Sequence, residues 1–171
     1  HASASAHDEL AARSVVVSSF GKTYHVTGWK VGYVAAPAAL MDEFRKVHQF
    51  NVFTVNTPMQ HGLARFLAEP AHYEGLSAFY QRKRDLFRQG LAATRFELLP
   101  CEGSYFQCVD YSAVSELSDT AFCEWLTREV GVAAIPLSPF CEQAPDRRIA
   151  RFCFAKRDET LHLALERLSA L

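Results

Sequence analysis

Two apolar runs rich in β-branched residues lie close together near the start of the chain, and they constrain its fold more than any other feature. The first is Ser14–Ser18 and the second is Val31–Ala36. Short runs of this composition are typical of strands that are buried on both faces of a sheet. The connection between them contains Gly21 and Gly28, and connections of this kind often carry binding or catalytic residues. We therefore expect an α/β fold with a functional site in this connection.

Helical periodicity dominates the middle of the chain, and shorter elements follow it. Pro37 opens a helix that reaches about Phe50, because apolar residues recur there at helical spacing. The pattern also predicts helices over 59–67, 73–95, 118–131 and from 158 onwards, and strands over 96–101, 104–110 and 149–155. This change from long to short elements predicts two domains, which comprise residues 1–75 and residues 76–171.

The composition indicates a globular protein whose partner is a small molecule or another protein. Hydrophobic residues make up 49% of the chain, which is ample for a core, but charged residues are too interspersed for a membrane span. Eighteen lysines and arginines against nineteen aspartates and glutamates give a net charge of -1. The chain therefore has no general electrostatic attraction to nucleic acids or anionic membranes.

The cysteines favour a reducing compartment. There are five of them, an odd number, and none forms a pair separated by two residues. This spacing argues against both a disulfide framework and a zinc site, so we expect free thiols and no metal. The first residues also lack the basic start and apolar core of a signal peptide. We therefore expect a cytoplasmic protein.

The connection around Lys22 fits two common motifs poorly. Gly21, Lys22 and Thr23 match the end of a phosphate-binding P-loop, but the glycine that this loop needs five residues before Gly21 is Val16. Ser19 and Lys22 have the Ser-x-x-Lys spacing of serine acyl-enzymes, but the companion motifs of that class are absent and glycine is unfavourable at a helix start. Neither motif accounts for the segment.

The whole segment Ser18–Tyr33 resembles the cofactor-lysine signature of the fold type I aminotransferases of class I/II, in particular the kynurenine and methionine aminotransferase branch. The resemblance implies that Lys22 is the catalytic residue and binds pyridoxal 5'-phosphate covalently through its amine. It also implies that Ser19 and Lys30 hold the cofactor phosphate. A hydroxyl and an ammonium group are suited to this task, because a phosphate dianion needs donors and positive charge.

A second match lies near the other end, where Arg151 interrupts the apolar strand pattern of Arg148–Lys156. A buried guanidinium is costly unless it is paired, so Arg151 should have a carboxylate partner. The resemblance implies that this partner is the α-carboxylate of the substrate, held by two parallel hydrogen bonds. An internal salt bridge to an aspartate or glutamate is the structural alternative.

The resemblance covers about Leu10 to Leu171 and implies the C-terminal part of the fold, in which the end of the large-domain sheet and a long connecting helix lead to a small α+β domain. It implies transamination between an amino acid of the kynurenine, methionine, glutamine or aromatic type and a 2-oxo acid. It also implies a homodimer, with Phe53 near the neighbouring subunit's pocket. A carbon–sulfur β-lyase of the same fold, and a non-catalytic fragment that acts as a dimerising or binding module, are alternatives that the sequence leaves open.

Several cofactor contacts of the family lie in the half that this sequence does not contain. They include the acidic residue on the pyridine nitrogen, which maintains the positive charge that makes the ring a strong electron sink. We therefore expect the 171-residue chain alone to be a poor or inactive catalyst.

Overall fold

The computed structural model describes residues 2–143 and 147–171. The chain divides into two compact units, His1–Leu76 and Ser77–Leu171.

The first unit consists of two short strands and five helices. Its strands are β1 (Val16–Ser19) and β2 (Gly32–Ala35), and they pair antiparallel from Val16 opposite Ala35 to Ser19 opposite Gly32. The helices are α1 (Asp8–Ala11), α2 (Phe20–Thr23), α3 (Ala38–Asn51), α4 (Thr57–Leu67) and α5 (Ala71–Glu74).

The prediction that both strands are buried on both faces is wrong for this chain. Val17 in β1 is 72% exposed and Tyr33 in β2 is 49% exposed, whereas Val16 and Val34 are half-buried. Val17 and Tyr33 lie on opposite faces, because Val17 pairs with Val34 and Ser18 pairs with Tyr33, so neither face of this two-stranded sheet is fully covered among residues 2–76. An apolar composition specifies strands that are suited to burial, but it does not supply the layer that buries them.

The helix starts in this unit follow local chemistry. Pro37 precedes α3, where its fixed backbone angle is compatible with entry into a helix. The Asn56 side chain accepts a hydrogen bond from the Met59 N–H at 3.2 Å and so caps α4. Pro58 lies in the first turn of α4, where a missing N–H costs nothing. The predicted helix over 59–67 therefore begins two residues earlier, at Thr57.

The second unit is a four-stranded antiparallel sheet covered by helices. The strands are β3 (Glu97–Leu98), β4 (Phe106–Asp110), β5 (Ile135–Pro136) and β6 (Ile149–Cys153), in the order β3-β4-β6-β5. The helices are α6 (Leu76–Leu91), α7 (Asp119–Trp125), which continues into a π-type turn over Leu126–Val130, and α8 (Asp158–Leu168).

One face of this sheet forms the core, and alternation along the strands decides which residues lie on it. Val109 in β4 and Ala150 and Phe152 in β6 are buried against Phe87 and Phe122, from α6 and α7. Their neighbours along the strands, including Cys108 and Arg151, point to the other face and are half-buried. The sheet therefore presents Arg151 on the side away from the core.

Two predicted elements differ in extent from those observed. The helix predicted over 73–95 is divided, because α5 ends at Gly75 and α6 begins at Leu76. The strand predicted over 96–101 is reduced to Glu97–Leu98, since Pro100 follows closely and cannot donate to a strand ladder. The helix predicted from 158 onwards runs over Asp158–Leu168.

No helix in the described part of the chain is both long enough and apolar enough to cross a membrane.

Candidate functional site

The connection from β1 to β2 is closed by its own hydrogen bonds. Ser19, at the end of β1, accepts a hydrogen bond from the Gly21 N–H at its Oγ, at 3.1 Å, and so caps α2. The Phe20 N–H donates to the Val31 carbonyl at 3.1 Å, and the Val26 N–H donates to the Gly21 carbonyl at 2.9 Å. These bonds give the connection a fixed shape. The Ser19 hydroxyl proton is not used in them and stays available for a ligand.

Two glycines in and beside this connection have no space for a side chain. A Cβ on Gly32 would lie 2.5 Å from the Ser18 carbonyl oxygen, across the β1–β2 pair. A Cβ on Gly21 would lie 3.1 Å from the Thr27 Cα. By contrast, a Cβ on Gly28 would meet nothing within 4 Å. Glycine is therefore required at position 32, and a side chain at position 21 would need a small shift of its neighbours, because the backbone passes close to itself.

Lys22 and Lys30 are exposed and lie at the two ends of this connection. Lys22 lies in α2, and Lys30 adopts the left-handed conformation, with φ of 55°, that turns the chain into β2. Neither lysine has a hydrogen bond or an ion pair among the described residues. No aspartate or glutamate occurs between Leu10 and Met41 in the sequence. The connection therefore combines the Ser19 hydroxyl donor with two ammonium groups that have no local counter-charge.

Aromatic side chains support the connection from behind. The Tyr24 ring packs edge-on against Phe66 of α4, with 5.6 Å between ring centroids, and against Tyr73 of α5, at 6.3 Å. Burial, with a smaller contribution from Tyr73, raises the pKa of Tyr24, so its hydroxyl stays protonated at neutral pH. The Trp29 ring lies against Gly62 of α4. The sequence offered no signal for this packing, because the partners come from separate helices.

The structure also tests the acyl-enzyme interpretation of Ser19 and Lys22. Gly21 lies in a helical turn, although glycine is unfavourable at a helix start. The only side-chain hydrogen bond of Ser19 among the described residues goes to the Gly21 N–H and not to Lys22. The pairing that would activate a serine nucleophile is therefore not formed.

Arg151 lies in the second unit, on β6, opposite Cys108 of β4 and Ile135 of β5. Its Nε atom is fully covered and has no hydrogen-bond partner among the described residues. The ion pairs found in that part of the chain do not include Arg151. The internal salt bridge that we considered for this residue is therefore not present among the described residues.

Two phenyl rings cover the Arg151 guanidinium instead. Its Cζ lies 4.2 Å from the ring centroid of Phe106, which is on β4, and 5.4 Å from that of Phe140. Phe106 lies opposite Cys153 in the β4–β6 pair, and Cys153 is two residues from Arg151 on the same strand. Knowledge of this register would therefore have placed Phe106 beside Arg151. Phe140 follows β5 at the end of a short 3-10 helix, Ser138–Phe140, and strand periodicity gives no information on its position.

Ser19, Lys22 and Lys30 thus lie at the start, within and at the end of one connection of the first unit. Arg151 forms a separate cationic centre on the sheet of the second unit. Among residues 2–143 and 147–171 there is no group of three histidine, cysteine, aspartate or glutamate side chains that could hold a metal ion.

Comparisons with known proteins agree with this arrangement. The family model for aminotransferase class I and II matches residues 1–168. The methionine aminotransferase of Escherichia coli is 58% identical over 172 residues, which cover 100% of this chain and 45% of that protein. A crystal structure that identifies a methionine aminotransferase function in Escherichia coli superposes with a TM-score of 0.95 at 58% identity, covering 100% of this chain and 46% of that one. The structure of N-succinyldiaminopimelate aminotransferase from Mycobacterium tuberculosis gives a TM-score of 0.86 at 35% identity, covering 97% and 44%.

The chain spans less than half the length of these relatives. Within that span the match is continuous, and it confirms both the predicted α/β fold of the fold type I aminotransferases and the resemblance seen in Ser18–Tyr33. The chain therefore belongs to the aminotransferase class I and II family.

Proposed function

We propose that this chain provides the catalytic lysine and the substrate-binding arginine of a pyridoxal-phosphate-dependent aminotransferase. The reaction transfers an amino group from an amino acid to a 2-oxo acid. The observation that carries the proposal is the connection between β1 and β2, in which Ser19, Lys22 and Lys30 present one hydroxyl and two ammonium groups without a carboxylate.

The residues of this connection fit pyridoxal 5'-phosphate. Its phosphate group carries up to two negative charges, and the free Ser19 hydroxyl proton and the Lys30 ammonium group supply a hydrogen-bond donor and one positive charge for it. Lys22 is the remaining amine, and it is exposed and unpaired among the described residues, as covalent attachment requires. When bound, this cofactor supplies an electron sink for the negative charge that develops at the substrate Cα.

The residues of this chain then have separate tasks. Arg151 donates two parallel hydrogen bonds to the substrate α-carboxylate and so fixes the orientation of the Cα–H bond. The Lys22 Nζ, in its uncharged form, accepts the Cα proton as a general base. Ser19 and Lys30 hold the phosphate in place during the reaction.

The domain assignment follows from the same proposal. We assign residues 1–75 to the C-terminal part of the large cofactor-binding domain, and residues 76–171 to the connecting helix and the small C-terminal domain. The five free thiols of the structure support a cytoplasmic location.

The amino donor to test first is methionine, since the Escherichia coli relative is a methionine aminotransferase. Kynurenine, glutamine and aromatic amino acids are the next donors to test.

Exposed apolar side chains in the first unit support a homodimer. Phe50 is 86% exposed, Phe53 is 78% exposed and Val17 is 72% exposed. Surfaces of this kind are normally covered by other polypeptide. Phe53 also has a φ of 65°, which is uncommon for a bulky residue and typical of functional positions.

The proposal is tested by covalent trapping of the cofactor on Lys22. The full-length protein is mixed with pyridoxal phosphate and reduced with borohydride, and the modified residue is located by peptide mass spectrometry. We expect one cofactor per chain on Lys22, together with a visible absorption band that the substitution Lys22→Ala abolishes. Lys46→Ala is the control, because Lys46 is an exposed lysine on α3 that pairs with Glu43. Equal labelling of Lys22 and Lys46, or a band that survives Lys22→Ala, would overturn the proposal.

A further inference from the structure

The environment of Arg151 is unusual for a half-buried cation. A guanidinium that leaves water is normally compensated by a carboxylate. Here the Cζ of Arg151 is 4.2 Å from the centre of the Phe106 ring and 5.4 Å from that of Phe140. A cation at these distances is attracted by the negative faces of the rings. The charge is therefore stabilised without a hydrogen-bond acceptor from the described residues.

The neighbours of Arg151 in the sheet also leave its donors free. Cys108 lies opposite Arg151 on β4 and Ile135 lies opposite it on β5. Burial raises the pKa of the Cys108 thiol, and the nearby Arg151 charge lowers it by less. Cys108 therefore stays neutral at physiological pH, and neither neighbour supplies an anion that would compete with a substrate.

The accessibility of the three guanidinium nitrogens differs. The Nε of Arg151 is fully covered and has no acceptor, whereas the two Nη atoms do not share this complete burial. The rings thus contact the guanidinium without using its donors, and neither Nη group has a hydrogen-bond partner among the described residues. A carboxylate can bind end-on to the two Nη groups without displacing any internal partner.

We propose that Phe106 and Phe140 are positioning residues that hold the Arg151 guanidinium in the orientation that receives the substrate carboxylate. The inference rests on the proposed function, because it takes the ligand of Arg151 to be a substrate carboxylate. A long arginine side chain loses much rotational freedom when it binds. Rings that fix the guanidinium in advance reduce this loss at the time of binding. Because the rings use none of the N–H donors of Arg151, they do not weaken its hydrogen bonds to the carboxylate.

The first test measures the positioning directly, without reference to catalysis. The 15N–1H NMR signal of the Arg151 Nε–H is followed at neutral pH in this chain and in variants. We expect slow exchange with solvent in the wild type and in Phe106→Tyr, which keeps the aromatic face. We expect at least about tenfold faster exchange in Phe106→Leu, which keeps the apolar character but removes the π face. Unchanged exchange in Phe106→Leu would overturn the inference.

The second test measures the consequence for substrate binding in the full-length protein. We expect Phe106→Leu to raise the KM for the amino donor about tenfold, equivalent to ~1.4 kcal/mol, and to leave kcat within about twofold. Phe106→Tyr should restore the KM. Phe140→Leu should raise the KM by a smaller factor, and its folding is not at risk because Phe140 is 68% exposed.

The two tests separate failure of the inference from failure of the proposed function. A wild-type protein without transaminase activity contradicts the proposed function, while the NMR exchange rates still show whether the rings position Arg151. An active wild-type protein whose Phe106→Leu and Phe140→Leu variants keep the wild-type KM overturns the inference alone.

Discussion

At the scale of single residues, the proposed site residues have no ion pair among the described residues, a property that they share with exposed basic residues such as Arg13 and Lys156. Lys83 pairs with Asp158 at 2.6 Å and Lys46 pairs with Glu43 at 2.6 Å, and these contacts are surface ion pairs that add little stability. Lys22 and Arg151 have no ion pair among the described residues. A cation can bind an anionic ligand without competition only if it has no internal carboxylate partner.

The sequence predicted the types and positions of these residues but not their surroundings. The pattern of Ser18–Tyr33 was sufficient to select Lys22, Ser19 and Lys30, because they lie close together along the chain. The neighbours of Arg151 could not be selected in this way. Phe106 reaches it across a strand pair, and Phe140 reaches it from a short 3-10 helix after β5, so both contacts depend on tertiary structure.

The first prediction at this scale concerns the shape of the Arg151 side chain. Arg151→Lys keeps the positive charge but removes the planar fork, so one of two hydrogen bonds to the carboxylate is lost. Since a hydrogen bond to a charged group contributes about 1.5–3 kcal/mol, we expect the KM for the amino donor to rise at least about tenfold. Steady-state kinetics on the full-length protein measure it, and Arg128→Lys, at an exposed position, is the control. An unchanged KM would show that Arg151 does not bind the substrate in this way.

At the scale of elements, local patterns were reliable for helices and less reliable for strands. The helices predicted from 37 and from 158 are present as α3 and α8, since capping and periodicity act within a few residues. The burial of β1 was predicted wrongly, because burial of a strand depends on what lies above and below it. The short helix α2 was not predicted, although the Ser19 cap that starts it is visible in the sequence.

Asp119 links two elements of the second unit and provides a prediction about pH. Its carboxylate, at the start of α7, accepts hydrogen bonds from the Leu137 N–H at 2.9 Å, the Ser138 N–H at 2.6 Å and the Ser138 hydroxyl at 2.6 Å. Burial alone would raise the pKa of Asp119, but these hydrogen bonds outweigh burial and lower it. The charged carboxylate therefore stabilises the folded state above its unfolded pKa of about 4, and this stabilisation is lost as the pH falls through the lower folded value.

We expect Asp119→Asn to lower the free energy of unfolding at pH 7 by about 1–3 kcal/mol, because buried donors lose a charged acceptor. The difference between wild type and variant should shrink as the pH falls below about 4, because Asp119 becomes protonated in the unfolded chain first and in the folded protein only at its lower folded pKa. Urea unfolding at pH 7 and at pH 3 measures both effects. Asp42→Asn, which removes only an exposed pair with Arg45, is the control. A difference that is the same at both pH values would contradict this account.

At the scale of the whole chain, the two units differ in how much apolar surface they bury. The core of the second unit contains fifteen buried residues between Phe87 and Leu168, on α6, α7, α8 and the sheet. Among residues 2–76 the buried apolar residues are Val31 and Leu63. Burial of apolar area is the main favourable contribution to folding, so the second unit should be the more stable of the two.

This difference leads to a prediction for hydrogen exchange of the 171-residue chain. Amides in β4 and β6 should exchange only through global unfolding of the second unit, because these strands are central in its sheet. Amides in β1 and β2 should exchange faster, since the two strands have only each other as partners in the described chain. Hydrogen–deuterium exchange with peptide mass spectrometry measures both.

Addition of pyridoxal phosphate should slow exchange in peptides that contain Ser19–Lys30 and leave β4 unchanged, because a ligand stabilises the unit that binds it. Equal protection of β1 and β4 without cofactor would show that the first unit has a source of stability other than its own buried core.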